Sequence, residues 1–171
     1  MAELWDILDE NGNKTGRTVE RQAVVSGKKP LGQGEYHLCV YVWVMNDKGE
    51  LLIAQRTPNK ECPNMWECVG GNAIAGDGSL TTALKEANEE LGITLQPQNG
   101  RIIKRCKRDN GSIADIWLFH QNVDIADVVL CPGETQGTMW ASRAKINRMV
   151  EDGTFVTWKL FTNINELFME E

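Results

Sequence analysis

"GGNAIAGDGSLTTALKEANEELGI", residues 70–93, is the stretch whose reading decides the fold. A glycine pair opens it, and Gly76 and Gly78 flank an aspartate in the turn that follows. Ser79 then stands where a helix N-cap belongs. Leu80, Ala83, Leu84, Ala87 and Leu91 recur at spacings of three and four, which makes one apolar stripe on a helix. Gly92 sits just past the last turn, where a left-handed residue ends a helix. At about 100° per residue, Glu86, Glu89 and Glu90 occupy roughly a third of the circumference, beside the stripe rather than opposite it. Carboxylates at these spacings repel one another, so a partner outside the helix is expected. Hard oxygen ligands at a core rim suit Mg²⁺, with Mn²⁺ as the alternative, rather than zinc. The bland alternative is a solvated acidic face, and the adjoining glycine turns weigh against it. Lys85 lies four residues before Glu89 and can pair with it.

Working outward, the flanks read as strands. "LWDILDENGNKTGRTVER" gives strand, turn and strand, with the Asn-Gly step suited to a hairpin. "VVSGKKPLGQGEY" is a Gly/Pro-rich loop. "YHLCVYVWVMN" and "ELLIAQR" alternate around the turn "DKG" and predict a second hairpin. "WECVGG" is a short strand that leads into the helix. Beyond the helix, "GRIIKRCKRDN" and "SIADIWLFHQNV" form an antiparallel pair, and "TMWAS" is a short strand. "SRAKINRMVEDG" is a helix capped by Ser142 and ended by Gly153. "TWKLFTNINELFMEE" is a terminal helix, with Trp158, Phe161, Ile164, Leu167 and Phe168 at helical spacing. Strands, helix, strands and helices in that order predict a mixed α+β layered fold, not a doubly wound parallel sheet.

The bulk numbers agree with one domain. The chain has 171 residues, 42% of them hydrophobic, enough for a full-sized core. With 18 basic and 24 acidic side chains the net charge is −6, which argues against nucleic-acid polymers and membrane surfaces as partners. There is no secretory signal pattern at the start and no apolar run of spanning length, so the cytoplasm is the expected location. Cys39, Cys62, Cys68, Cys106 and Cys131 are odd in number and contain no CxxC pair, which fits unpaired thiols rather than a zinc site or a disulfide framework.

These residues resemble the Nudix box, G-x5-E-x7-R-E-U-x-E-E-x-G-U, where U is a bulky aliphatic residue. Gly71, Asp77, Lys85, Glu86, Ala87, Glu89, Glu90, Gly92 and Ile93 fall at its positions with no insertion. Asp77 replaces the first Glu, Lys85 replaces Arg, and Ala87 replaces the bulky aliphatic residue. The resemblance implies a Nudix-type α/β/α sandwich with a mixed central sheet. It also implies one domain over 1–171, with the box at 71–93 and an N-terminal hairpin extension at 1–34. The implied activity is Mg²⁺-dependent hydrolysis of a diphosphate linkage in a nucleoside diphosphate derivative or another small organic diphosphate. Glu86, Glu89 and Glu90 would be the metal ligands, with Glu86 or Glu90 also serving catalysis and Lys85 orienting the cluster. Lys lacks the planar fork of Arg, so that replacement is not neutral. A homodimer is the family-level expectation.

Outside the box, Arg56 and Lys60 could clamp phosphate oxygens, one as a fork and one as a point charge. Gly71 and Trp66 stand at the turn and are carried as substrate-contacting residues, with core packing the alternative for Trp66 and the same choice open for Trp117. "KRCKRDN" is a basic hairpin cluster, a solvated turn or a contact for an anion. Glu134 lies where several Nudix enzymes place a late catalytic carboxylate. The phrases "LWDILDENGNKTG", "GEYHLCVYVWV" and "QRTPNKECPNMWECVGG" resemble Nudix proteins akin to type 1 isopentenyl-diphosphate isomerase. His37 fits one of that enzyme's histidine positions, but Gly70 stands at its Cys position and Asn72 at another histidine position. Cys68, two residues before Gly70, would face the same side of a strand. Isomerisation and a non-catalytic diphosphate-binding module are therefore the alternatives to hydrolysis.

Overall fold

The computed structural model describes residues 2–157. The expected terminal helix with Trp158, Phe161, Ile164, Leu167 and Phe168 lies outside the described residues. The described elements are β1 (Leu4–Leu8), β2 (Lys14–Glu20), α1 (Arg21–Val25), β3 (His37–Met45), β4 (Leu51–Arg56), β5 (Trp66–Glu67), β6 (Val69–Asn72), α2 (Ser79–Leu91), β7 (Gly100–Lys107), β8 (Ser112–His120), β9 (Thr135–Ala141) and α3 (Arg143–Glu151).

β3 is the central strand. It runs parallel to β8 from His37↔Ser112 to Met45↔His120 and antiparallel to β6 from Cys39↔Asn72 to Val42↔Val69. β7 pairs with β8 at the outer edge, with a register shift between Ile102 and Lys104. The hairpin expected from "YHLCVYVWVMN" and "ELLIAQR" exists only at its tight end. The Asn46 carboxamide oxygen accepts from Lys48 N and Glu50 N, but β3 and β4 pair only at Met45↔Leu51. Beyond that point β4 turns to β9 and β5, and β6 takes the edge of β3 that β4 leaves. Period-two alternation fixes which side chains face which layer, not which strand is the neighbour.

β3 shows that alternation plainly. Tyr41 and Trp43 face one layer with Ile53, Ile116, Leu118, the α3 residues Ile146 and Met149, and Phe155. Val40, Val42 and Val44 face the other with Leu52, Ala54, Phe119 and the α2 residues Ala83, Ala87 and Leu91. The sheet is thus covered by α2 on one face and α3 on the other, an α/β/α sandwich of the α+β class.

The helix ends separate two kinds of signal. Ser142 Oγ accepts from Lys145 N at 3.2 Å, and Gly92 has φ 65° with its N–H donating to Asn88 O at 2.8 Å, both as expected. Ser79, however, is the first helical residue and Gly78 is the N-cap. The Ser79 hydroxyl accepts from Trp117 Nε1 at 2.8 Å instead. The indole N–H of a tryptophan that is 7% exposed would otherwise lack an acceptor, and that need outweighs a serine cap. Trp117 therefore belongs to the core. The short α1 falls between the segment expected to end in a strand at Arg21 and the loop expected from Val24, and Val24 packs on the hairpin cluster of Trp5, Ile7 and Val19.

β1 and β2 form their own two-stranded sheet. It is tied to the main body where Leu8 bridges Tyr36, where Trp5 stacks on His37 with ring centroids 4.0 Å apart, and where Leu4 O accepts from Ala75 N at 2.7 Å. Asp6 Oδ2 also accepts from Gly76 N at 2.8 Å. The hairpin is thereby held beside the turn that precedes α2.

Candidate active site

A cavity of about 780 Å³ opens where the sheet, the N-terminal hairpin and α2 meet. Its lining joins residues that are far apart in sequence. Its charged members include Glu86, Glu89 and Glu90 of α2, Arg56 at the end of β4, and Lys60 and Glu134 on loops.

The acid group depends on local geometry. Gly71 lies under Glu86: a Cβ on Gly71 would overlap the Glu86 carboxylate, so only glycine leaves that carboxylate its place. Gly71 pairs with Val40 on the α2 face of the sheet, which explains why the glycine and the helix meet there. Glu90 is 7% exposed, whereas Glu89 is exposed to solvent. Among the described residues no three His, Cys, Asp or Glu side chains are gathered tightly enough to form a ready-made metal cage. An all-oxygen donor set, with Glu86 seated over Gly71, Glu89 exposed and Glu90 buried, suits a hard divalent cation.

The basic residues are placed by ion pairs. Arg56 is 7% exposed; its Nη1 donates to Glu67 at 2.8 Å and its Nε to Glu61 O at 2.6 Å. It is thus a fixed charge in the cavity wall rather than a swinging clamp. Lys60 Nζ pairs with the Glu134 carboxylate, and the pair spans two loops of the lining. Lys85 does not pair with Glu89. Its Nζ donates to Asp77 Oδ2 at 2.7 Å, so the two off-pattern polar residues of the box engage one another, and neither lines the cavity. Trp66 also lies off the cavity and packs half-buried against the α3-side core, its alternative role above. The basic cluster "KRCKRDN" is largely committed: Arg105 pairs with Asp115 at 2.6 Å, and Arg108 hydrogen-bonds the Tyr41 hydroxyl.

With this geometry in hand, the comparisons are direct. Residues 35–162 match the NUDIX domain family. The chain belongs to the Nudix hydrolase family. An uncharacterized Nudix hydrolase of Listeria innocua is 32% identical over 167 residues, covering 96% of this chain and 95% of that protein. An isopentenyl-diphosphate Delta-isomerase of Streptomyces coelicolor is 27% identical over 164 residues, covering 92% and 80%. A crystal structure of a Deinococcus radiodurans protein shares the fold with TM-score 0.68 at 19% identity, covering 90% of this chain and 92% of that one. The chain is a Nudix enzyme by family, with an N-terminal hairpin that precedes the matched span.

The rest of the lining comes from segments scattered along the chain. It includes Glu3 and Arg21 from the hairpin region, His37, Cys39 and Tyr41 from β3, Asn72 from β6, and Asn110 and Ser112 from the turn into β8. Burial pushes the His37 imidazole down to about 4 and raises the Cys39 thiol and the Tyr41 phenol above their ordinary values. His37, Cys39 and Tyr41 are therefore neutral at pH 7. Of the scattered residues, the sequence singles out His37 and Asn72 by their positions and Asn110 as part of the basic hairpin cluster. Among the described residues no helix is long and apolar enough to cross a membrane.

Proposed function

We propose that this Nudix hydrolase is a divalent-metal-dependent pyrophosphohydrolase acting on a small organic or nucleoside diphosphate, with Mg²⁺ as the resident ion. The observation that carries the reading is that Glu86, Glu89 and Glu90 face the same cavity as Arg56 and Lys60. Glu86, Glu89 and Glu90 would hold the metal, which when bound neutralises diphosphate charge and polarises its P–O bonds. Lys60 Nζ donates to phosphate oxygens, and Arg56 supplies fixed positive charge. A carboxylate, Glu134 or Glu86, accepts a proton from the attacking water. The water oxygen bonds to phosphorus, the bridging P–O bond breaks, and the leaving phosphate keeps the electron pair. Arrival of an anionic substrate gives Lys60 a stronger partner than Glu134, and so frees Glu134 to act as the base.

Gly70 supports hydrolysis over isomerisation. A Cβ at this position would overlap the backbone oxygen of Val40, so the strand pairing leaves no room for a cysteine there. Cys68 is fully buried in the α3-side core and does not line the cavity.

The test is a panel of nucleotide, sugar and prenyl diphosphates incubated with Mg²⁺ or Mn²⁺, read as phosphate or monophosphate release. Glu89→Gln and Glu90→Gln are each expected to lower kcat/KM by about 10²-fold or more and to weaken calorimetric Mg²⁺ binding. Full activity in both variants would remove this site. Tight binding with no hydrolysis across the panel would favour a non-catalytic binding module.

A further inference from the structure

The geometry points to Thr57 as a positioning residue for Glu134: it anchors the turn that carries this carboxylate after Lys60 has left it for the substrate. The inference rests on the reading above, in which Lys60 turns to the diphosphate and Glu134 takes the proton from water.

Lys60 and Glu134 stand on two turns, one leaving β4 and one entering β9. The strands pair as far as Arg56↔Thr135, and the register shift there leaves Gln136 as an extra residue. Its Nε2 donates to Arg56 O and to Asn64 Oδ1, each at 2.8 Å, and closes the base of the turns. Beyond the strands, Lys60 N donates to Thr57 O at 3.3 Å, and Glu134 N and Thr135 N donate to Cys131 O at 3.1 and 3.0 Å. Each turn is therefore held within itself by backbone. Thr57 Oγ1 then donates to Gly133 O at 2.9 Å and ties one turn to the other, one residue before Glu134.

The hydroxyl tie and the ion pair differ in kind. The Lys60 and Glu134 side chains are 23% and 52% exposed, so their pair is open to solvent and to competition from a ligand anion. Thr57 is 7% exposed and does not line the cavity, and its bond joins neutral groups. A phosphate that takes Lys60 leaves this bond untouched. Glu134 then loses Lys60, and the anchor at Gly133 is what keeps its turn in place. A general base must lie within hydrogen-bond reach of the proton it takes, and a small misplacement is costly. Thr57 therefore acts on the step after binding, in kcat rather than KM.

The experiment compares Thr57→Val, which removes the hydroxyl and keeps the branched shape, with Thr57→Ser, which keeps the hydroxyl. Amide hydrogen exchange at Glu134 and Thr135 is followed with and without methylenediphosphonate and Mg²⁺, a diphosphate probe that resists hydrolysis. The probe is expected to speed exchange several-fold in Thr57→Val, and not in the native protein or Thr57→Ser. On the fastest substrate of the diphosphate panel, Thr57→Val is expected to lower kcat about tenfold, the loss that goes with one hydrogen bond, with KM within about twofold. Thr57→Ser should restore kcat, and in a Glu134→Gln background Thr57→Val should cost nothing more. Should Thr57→Val fail to fold, Thr57→Ala against Thr57→Ser carries the same comparison. Exchange that the probe leaves unchanged in Thr57→Val, or an equal kcat loss in the Glu134→Gln background, would overturn the inference and leave the diphosphate reading intact. If Glu134→Gln keeps native kcat, Glu134 is not the base, and if the native protein binds no methylenediphosphonate, the diphosphate reading fails; either result takes the inference with it.

Discussion

The cavity is lined by two groups of residues built on different plans, an acid group on α2 and a group scattered along the chain. The acid group comes mainly from one contiguous segment: Gly71 and the three glutamates of α2 lie within 70–93, and helical periodicity alone places those glutamates on one rim. The scattered group comes from residues 3, 21, 37, 39, 41, 72, 110 and 112, brought together by parallel pairing of β3 with β8 and by the docked hairpin. The first group sets three carboxylates on one helix, and the second brings an ion pair and uncharged polar groups together from strands and turns. A site of the first kind can be read from a motif. A site of the second kind exists only once the topology is known.

The strongest way to test this division is Arg56, which lines the cavity with the acid group and also belongs to the core. Its pair with Glu67 is almost fully shielded, with side-chain exposures of 8% and 3%. Arg56→Met removes the guanidinium from a buried carboxylate and is expected to cost about 3–5 kcal/mol in urea unfolding. Activity should fall with it. The double variant Arg56→Met/Glu67→Met separates the two roles, since a buried pair replaced by apolar side chains is often neutral for stability. Stability recovered without activity would mark Arg56 as a substrate-binding charge. Recovery of both would make it purely structural.

His37, in the scattered group, should reveal itself through acid. His37 is buried and held down to about 4, against 6.5 for an unburied histidine. Between those values the unfolded chain binds a proton that the folded chain does not, so stability is complete above about pH 6.5 and falls as pH drops toward 4. The difference of two and a half units corresponds to about 3 kcal/mol. His37→Gln should flatten that slope in chemical-denaturation curves taken across the range. An equal slope in the variant would show that the acid sensitivity arises elsewhere.

How much of this the sequence discloses follows from the same contrast. The helix over 79–91, its glutamate rim, the Gly92 stop and the Ser142 cap are local, and local spacing predicts them. The β3–β4 hairpin was over-read, because alternation and a good turn cannot tell that β4 will leave β3 after Met45↔Leu51. Ser79 was misassigned as a cap because its competitor, the Trp117 indole, lies 38 residues away in sequence. Glu3, Arg21 and Ser112 gave no signal, since nothing near them in the chain marks them as neighbours, and Asn110 was legible only as part of the basic hairpin cluster.

The glycine pair holds both plans in adjacent residues. A Cβ at Gly70 would meet the Val40 backbone oxygen, whereas a Cβ at Gly71 would meet only the far end of the Glu86 side chain. Backbone cannot step aside, but a glutamate can. Gly70→Ala is therefore expected to destabilise the fold by about 1–3 kcal/mol, as overpacking does. Gly71→Ala should leave the melting temperature nearly unchanged and lower kcat/KM about 10–100-fold by displacing Glu86. The reverse outcome would mean that β6 is more compliant than its pairing with β3 suggests.

The smallest effect is expected at Lys85 and Asp77, the two places where the box departs from its polar pattern. Their ion pair is partly exposed, with Lys85 at 46% and Asp77 at 17%. A double-mutant cycle with Lys85→Met and Asp77→Asn should give a coupling of about 0.2–1 kcal/mol, weakening with added salt. Because neither side chain lines the cavity, kcat in Lys85→Met should change by less than about tenfold. A larger loss would mean that Lys85 orients the glutamate rim after all, in the way the family's arginine is expected to. In that event Lys85→Arg with Asp77→Glu, which restores the family pattern, should raise the rate above that of the native pair, because a planar fork fixes a carboxylate better than a point charge does.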